Sequence, residues 1–325
     1  MTDYRWTRLS VADVTSWAVL VNHLADVDGT EEYLAAEDLR EELESTSLNP
    51  AEDSWAVWDG EQLVAFGLAH CSSTLSHEGL VRTFVEGGVH ADHRGRGLGT
   101  ELMDRLEARA RDRASTMHPQ QPGYLSAGGQ TEGSSARALL IERGYAVARH
   151  FNALTRDLTG APEPPTVEGV ALRSPVPADE TPVRSSHNLA FRDHWGSAPT
   201  SEETWHERWT SRSNRDDVST IAVDERSGEV LAYVLCGQWI DRELYVNLVG
   251  TVPTARGRGL AAACLARTIG LALETGSYDL VDLDVDSSSP TGATRLYERL
   301  GFRPKRTTAA MRRDLPSTMA SPCPE

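Results

Sequence analysis

The 325-residue chain reads as an α/β protein made of two consecutive copies of one mixed-sheet domain, with helices on both faces of each sheet. Three observations predict this. The segment Arg94-Gly95-Arg96-Gly97-Leu98-Gly99 returns as Arg256-Gly257-Arg258-Gly259-Leu260-Ala261. Each copy follows an apolar, strand-like stretch, residues 84–89 and 244–252. Each opens a helical pattern, Leu98/Leu102/Met103/Leu106 and Leu260/Cys264/Leu265/Ile269. Downstream, Gly144-Tyr145 and Gly301-Phe302 each lead, with the same 14-residue spacing from glycine to leucine, into Arg156-Asp157-Leu158 and Arg313-Asp314-Leu315. An offset near 160 residues is a whole-domain duplication, since solenoid repeats are far shorter.

Taken in order, residues 54–60 and 63–68 read as a β-hairpin around Asp59-Gly60. Glu86-Gly87-Gly88 interrupts the next strand, and the paired glycines suggest a bulge with Glu86 lining a cleft. The Gly-rich loop and its helix follow, then a loop over 117–123 with Pro119 and Pro122. Residues 159–169 hold Pro162, Pro164 and Pro165 and read as a semi-rigid linker. The second half repeats the plan, with a hairpin through 220–223, a turn over 224–228 and 230–235. The stretch Leu280 to Val285 alternates apolar residues with aspartates, a strand with one apolar face. Residues 291–300 give a short helix that Gly301 ends as a left-handed cap. The expected boundaries are 1–158, a linker at 159–171, a second domain at 172–315 and a disordered tail at 316–325.

The formal charge of −16 excludes a general nucleic-acid or anionic-membrane binder, which needs a basic face. Cys71, Cys236, Cys264 and Cys323 form no metal or disulfide spacing, so no metal is expected. Cys264 lies on the apolar face of its helix and reads as core. No run approaches the ~20 apolar residues of a membrane helix, and Met1-Thr2-Asp3-Tyr4 leads into no apolar signal region, so a cytoplasmic monomer or homodimer is the expectation.

A strand, a Gly-rich turn and a helix N-terminus make an anion site, because free N–H groups and the positive end of the helix dipole converge. The glycines let backbone approach a pyrophosphate, and the arginines add charge-assisted bonds. The pattern lacks the G-x-G-x-x-G of a dinucleotide fold.

These features resemble the GNAT acyltransferase superfamily. Its loop, Arg/Gln-x-x-Gly-x-Gly/Ala, is matched by Arg94, Gly97 and Gly99 and by Arg256, Gly259 and Ala261. Its later helix is matched by Ala293, Leu296, Tyr297, Gly301 and Phe302, while Pro290 stands where the family has Asn. The two-domain plan is similar to the tandem, mycothiol-synthase-like members of that family, in architecture and not in substrate. The resemblance implies acetyl-CoA as cosubstrate and transfer of its acyl group to an amine of a small molecule or peptide. It implies cofactor contacts from Val249, Gly250, Thr251, Val252, Arg256, Gly257, Arg258, Gly259, Leu260 and Ala261. In the first half these are Val89, Arg94, Gly95, Arg96, Gly97, Leu98, Gly99 and Thr100.

Transfer from a thioester needs a deprotonated amine, a stabilised oxyanion and a proton for the thiolate. The resemblance makes Tyr297 the acid. The equivalent position in the first half, counted back from Gly144, is Leu140, which has no proton to give, and Gly133 replaces the family Asn there. The C-terminal domain is therefore expected to be catalytic and the N-terminal one degenerate. Glu243 is the candidate base, with Asp284 or relayed water as alternatives, and the oxyanion donor is expected among Val249 to Thr251. The run from Phe191 to Trp195, with Trp205, His206 and Trp209, is the candidate acceptor pocket. Trp205 and Trp209, four apart, also suit simple helix packing. A non-catalytic acyl-CoA-binding regulator and a pseudoenzyme with empty cradles are the competing readings. An aminoglycoside, a cysteinyl sugar, a peptide N-terminus and a polyamine all remain open as acceptors.

Overall fold

A computed structural model describes residues 3–289 and 292–315. It divides into two compact units. Unit 1 comprises residues 3–150 with 308–315, and unit 2 comprises 151–307.

Unit 1 begins with β1 (Arg5–Thr7), α1 (Val14–Asp28), α2 (Ala36–Glu44), α3 (Pro50–Asp53), β2 (Ser54–Asp59), β3 (Gln62–Cys71) and β4 (Val81–Val89). It continues with α4 (Leu98–Met117), β5 (Gly123–Gln130) and α5 (Ser135–Glu142). The long strand β6 (Ala146–Asp157) leaves it. Unit 2 holds β7 (Val170–Arg173), α6 (Glu180–Ala190), α7 (Glu202–Thr210), β8 (Thr220–Asp224), β9 (Val230–Gly237) and β10 (Glu243–Thr251). Then come α8 (Leu260–Thr275), β11 (Leu280–Asp286), α9 (Ala293–Arg299) and the long β12 (Arg303–Leu315).

The compact units cross the boundaries that the repeat suggests at 158 and 172. Strand order in unit 1 is β1-β2-β3-β4-β5-β12, and in unit 2 it is β6-β11-β10-β9-β8-β7. Residues 309–315 pair antiparallel with β5, Leu315 opposite Gly123. Residues 151–157 pair antiparallel with β11, Asp157 opposite Leu280. Each repeat thus supplies its last strand to the other's sheet. The exchange has a physical basis: both strands carry the same Arg-Asp-Leu ending, so either satisfies the same edge. The expected tail and Pro290 lie outside the described residues.

Local chemistry accounts for the punctuation. Gly60 turns the β2–β3 hairpin at φ +59°, and Gly29 closes α1 at φ +64°. Gly301 follows α9 at φ +86°, the left-handed conformation expected there. Between β8 and β9, the Asp224 carboxylate accepts from the N–H groups of Arg226 and Ser227.

Each sheet has an apolar layer on both faces. In unit 1, α1 and α2 bury Trp17, Leu20, Leu39 and Leu43 with Leu68, while α4 and α5 bury Leu102, Leu106 and Leu140 with Leu125 and Met311. In unit 2, Val183, Trp205 and Trp209 pack with Ile221 and Tyr233, and α8 and α9 pack with Leu244, Val281 and Leu283. Cys264 is fully buried in that second layer, as its position on the helix predicts. Trp205 is fully buried and Trp209 nearly so, their rings 6.2 Å apart, so the pair serves helix packing.

Candidate active site

The site of each unit starts from a fork in its sheet. In unit 2, β10 and β11 run parallel and pair only over Glu243–Tyr245 with Leu280–Asp282. Beyond Tyr245, β10 runs six more residues to Thr251 without that partner. In unit 1, β4 and β5 pair from Val81 to Phe84, after which β4 continues to Val89. Phe84 and Tyr245 are the equivalent fork residues. Strands that diverge leave backbone N–H groups facing the gap.

In unit 2 the alternation of those groups follows from one bond. The Val252 N–H donates to the Leu231 carbonyl at 2.9 Å, on the β9 side. Antiparallel pairing alternates, so the Val249 and Thr251 N–H groups point into the fork. They lie inside the span expected for the oxyanion donor.

The two forks differ in one respect. The β9–β10 register slips between Val246 and Leu248, so Asn247 is an extra, unpaired residue. The slip puts Leu248 against Trp205 and Tyr233 on one face, and Val249 against the α8 layer on the other. The β3–β4 ladder has no such slip: Ala65 to Cys71 pair without interruption with Val89 to Thr83. The bulge expected at Gly87-Gly88 is therefore absent from unit 1 and present in unit 2. The unit 1 glycines serve close approach instead. A Cβ at Gly87 would stand 2.4 Å from the Phe66 carbonyl oxygen, and one at Gly88 2.3 Å from Leu24 Cδ1. The sequence signal for the true bulge is the phase change from Leu244 and Val246 to Leu248-Val249.

Beyond each fork lies the Gly-rich loop. Gly257 and Gly259 adopt φ +79°, and Gly95 and Gly97 adopt +72° and +86°, conformations that favour glycine. The N–H groups from Gly257 to Ala262, and from Gly95 to Thr100, have no acceptor among the described residues. Such cradles fit a pyrophosphate.

The family arginines hold their loops to the rest of their unit. Arg94 donates from Nε to the Val89 carbonyl and grips Asp28 with both terminal nitrogens, at 2.7 and 2.6 Å. Arg256 repeats this with the Thr251 carbonyl, Asp193 at 3.1 Å and the Ala190 carbonyl at 2.9 Å. Both side chains tether their loop to the preceding strand and to the end of the first long helix. A carboxylate already neutralises each guanidinium, so their direct charge on a ligand is reduced. Asp193 thereby anchors the loop. His194 turns its Nδ1 toward the Trp195 carbonyl, and the exposed His206 pairs with Glu180.

Tyr297 is buried in the α8 layer with Val252 and Leu260, the residues that bracket the loop, and its ring meets Phe302 edge-on at 5.9 Å. Burial pushes its phenol up to about 12, so the hydroxyl stays protonated at neutral pH. Its equivalent, Leu140, is buried in the α4 layer of unit 1. Glu243 sits where β10 and β11 are still paired, two residues before the fork and on the same face as Tyr245. At the fork itself, Tyr245 donates to Asp284 at 2.9 Å.

Sequence reasoning missed a buried pair in unit 2. His187 Nδ1 and the Tyr233 hydroxyl lie 2.7 Å apart, with Trp205 and Phe191 against the imidazole. Burial, with smaller contributions from Arg208 and His194, lowers His187 to about 4. The Tyr233 ring lies over Gly250, where a Cβ would stand 2.3 Å from its hydroxyl oxygen. A narrow crevice beside the bulge, with room for about one water, is lined by Trp209, Arg208, Leu235, Asn247 and Leu248.

The comparisons with known proteins agree with this geometry. The profile described as "Acetyltransferase (GNAT) family" matches residues 18–120 and 182–302. A mycothiol acetyltransferase of Salinispora tropica is 34% identical over 252 residues, covering 73% of this chain and 74% of that protein. A second, from Salinispora arenicola, is 32% identical, covering 73% and 74%. Among solved structures, a GCN5-related N-acetyltransferase from Sphaerobacter thermophilus superposes with a TM-score of 0.74 at 25% identity, covering 96% of this chain and 95% of that one. A tandem GNAT protein from the clavulanic acid biosynthesis pathway, 17% identical, shares the fold with a TM-score of 0.72 over 96% and 98%. No helix among the described residues is long and apolar enough to cross a membrane.

Proposed function

The chain belongs to the GNAT acetyltransferase family, and from that premise we propose that unit 2 transfers the acetyl group of acetyl-CoA to an amine of a small molecule, while unit 1 holds the same cosubstrate without turnover. One observation carries the assignment: the strand bulge at Asn247 and the phenol of Tyr297 occur together in unit 2, and unit 1 has an unbroken ladder and Leu140 instead.

In this reading, N–H groups from Gly257 to Ala262 hold the pyrophosphate, and the Val249 or Thr251 N–H polarises the thioester carbonyl as the amine attacks it. Glu243, with the Tyr245–Asp284 pair above it on the same strand face, provides the route by which the acceptor ammonium loses its proton. Tyr297 gives its proton to the sulfur as the carbon–sulfur bond breaks. The adduct nitrogen loses its second proton to solvent as the carbon–sulfur bond breaks, acetylated amine and free CoA thiol leave, and solvent restores the Tyr297 proton. The name shared by the curated relatives makes a mycothiol-related amine the first acceptor to test, and the acidic surface favours cationic acceptors.

A thiol-release screen with acetyl-CoA over a library of thiol-sugar amines, aminoglycosides, polyamines and peptide N-termini tests this reading. Turnover with at least one amine is expected. Tight acetyl-CoA binding with no thiol release from any amine would favour a non-catalytic acyl-CoA-binding protein.

A further inference from the structure

On the helix-covered face of unit 1, three side chains from three elements converge. His70 on β3 places Nε2 3.2 Å from Glu86 Oε1 on β4 and 3.9 Å from Glu42 Oε1 on α2. One donor atom from each lies within 4.8 Å of the other two. Ligands bound to one first-row ion at about 2.0–2.2 Å sit roughly 3–4 Å apart, so the three donors are near the spacing that a single ion imposes.

The Glu42 and Glu86 carboxylates converge on the one imidazole of His70, and a cation among the three donors offsets the repulsion of two like charges.

The cluster is not inherited from the repeated fold. Gly88 pairs with Phe66 as Gly250 pairs with Tyr233. Counting from those pairs, Glu86 corresponds to Leu248 and His70 to Gly237. Unit 2 therefore has neither of these two donors, which are particular to the copy that lacks the acid.

We propose that Glu42, His70 and Glu86 form a divalent transition-metal site in unit 1, with Zn2+ as its preferred ion. One imidazole and two carboxylates suit zinc, whereas Mg2+ and Ca2+ favour all-oxygen sets. Three protein donors leave a tetrahedral ion one open position. Cysteine spacing predicts no metal in this chain, but these donors come from separate elements, and no local spacing reveals them.

The test is titration of the chelator-treated full chain with ZnCl2, followed by calorimetry and by competition with a chromogenic chelator. One equivalent is expected to bind and to raise the melting temperature, with no such response to MgCl2. His70→Ala and Glu86→Gln, each shown folded by circular dichroism, are expected to bind at least 100-fold more weakly and to lose the thermal shift. No saturable zinc binding by the wild type, or one equivalent retained by both variants, leaves a hydrogen-bonded triad only and overturns the proposal.

Discussion

Arg156 holds Leu300: its Nε–H donates to the Leu300 carbonyl at 2.6 Å, closing the end of the helix that carries Tyr297. A cation there also meets the negative end of the helix dipole. Unit 1 repeats the device, because Arg313 donates to the Arg143 carbonyl at 2.6 Å and also reaches the buried Glu107. Each exchanged strand thus brings an arginine that caps the short helix of the other repeat.

Arg156→Ala is expected to lower stability by about 1.5–3 kcal/mol, the range for a lost hydrogen bond to a charged group. It is also expected to reduce kcat by loosening α9, with acetyl-CoA affinity little changed. Arg156→Lys should restore part of both effects, since an ammonium reaches one carbonyl but cannot also serve Gly160, as the Arg156 fork does. Chemical denaturation and steady-state kinetics check this. A variant as stable and active as the wild type would remove the capping role.

Tyr297→Phe is expected to lower kcat about 100-fold, the lower range for losing a general acid, with acetyl-CoA binding unchanged within about threefold. Because burial raises the phenol to about 12, the wild-type donor remains intact through pH 10. The stability this burial confers is complete below the ordinary phenol value of 10 and is lost as pH rises toward 12. Turnover unchanged across pH in the Phe variant would exclude Tyr297 as the acid.

The two cradles can be separated by charge. Gly259→Asp and Gly97→Asp each put a carboxylate into an anion nest, and each is expected to remove one of two acetyl-CoA equivalents in calorimetry. Gly259→Asp should abolish turnover, whereas Gly97→Asp should leave it within about threefold. Loss of turnover from Gly97→Asp alone, in a protein that still folds, would reverse the assignment of the units.

His187 makes the fold sensitive to acid. Its value near 4 lies below the ordinary 6.5, so the native state keeps the imidazole neutral. Stability from this group is present above pH 6.5 and is lost as pH falls toward 4, a change on the order of 3 kcal/mol. His187→Gln can still bond the Tyr233 hydroxyl and cannot titrate, so its melting temperature should fall less between pH 7 and 4. Parallel thermal curves for the two proteins would contradict this.

The sequence by itself determined the duplication, the α/β alternation, both Gly-rich cradles with their left-handed glycines, and the contrast between Tyr297 and Leu140. These are properties of short segments, set by side-chain periodicity and by backbone conformations that favour glycine. The Trp205–Trp209 pair and Cys264 were legible as core for the same reason. Only the tertiary structure decided which sheet receives each final strand, because 151–157 and 309–315 carry interchangeable patterns. It also decided that Arg94 and Arg256 are taken up by Asp28 and Asp193, and that the bulge belongs to Asn247 and not to Gly87-Gly88. The His187–Tyr233 pair and the Glu42–His70–Glu86 cluster join residues 16 to 46 positions apart. Periodicity specifies the face a residue takes, while the partner met there depends on how distant elements pack.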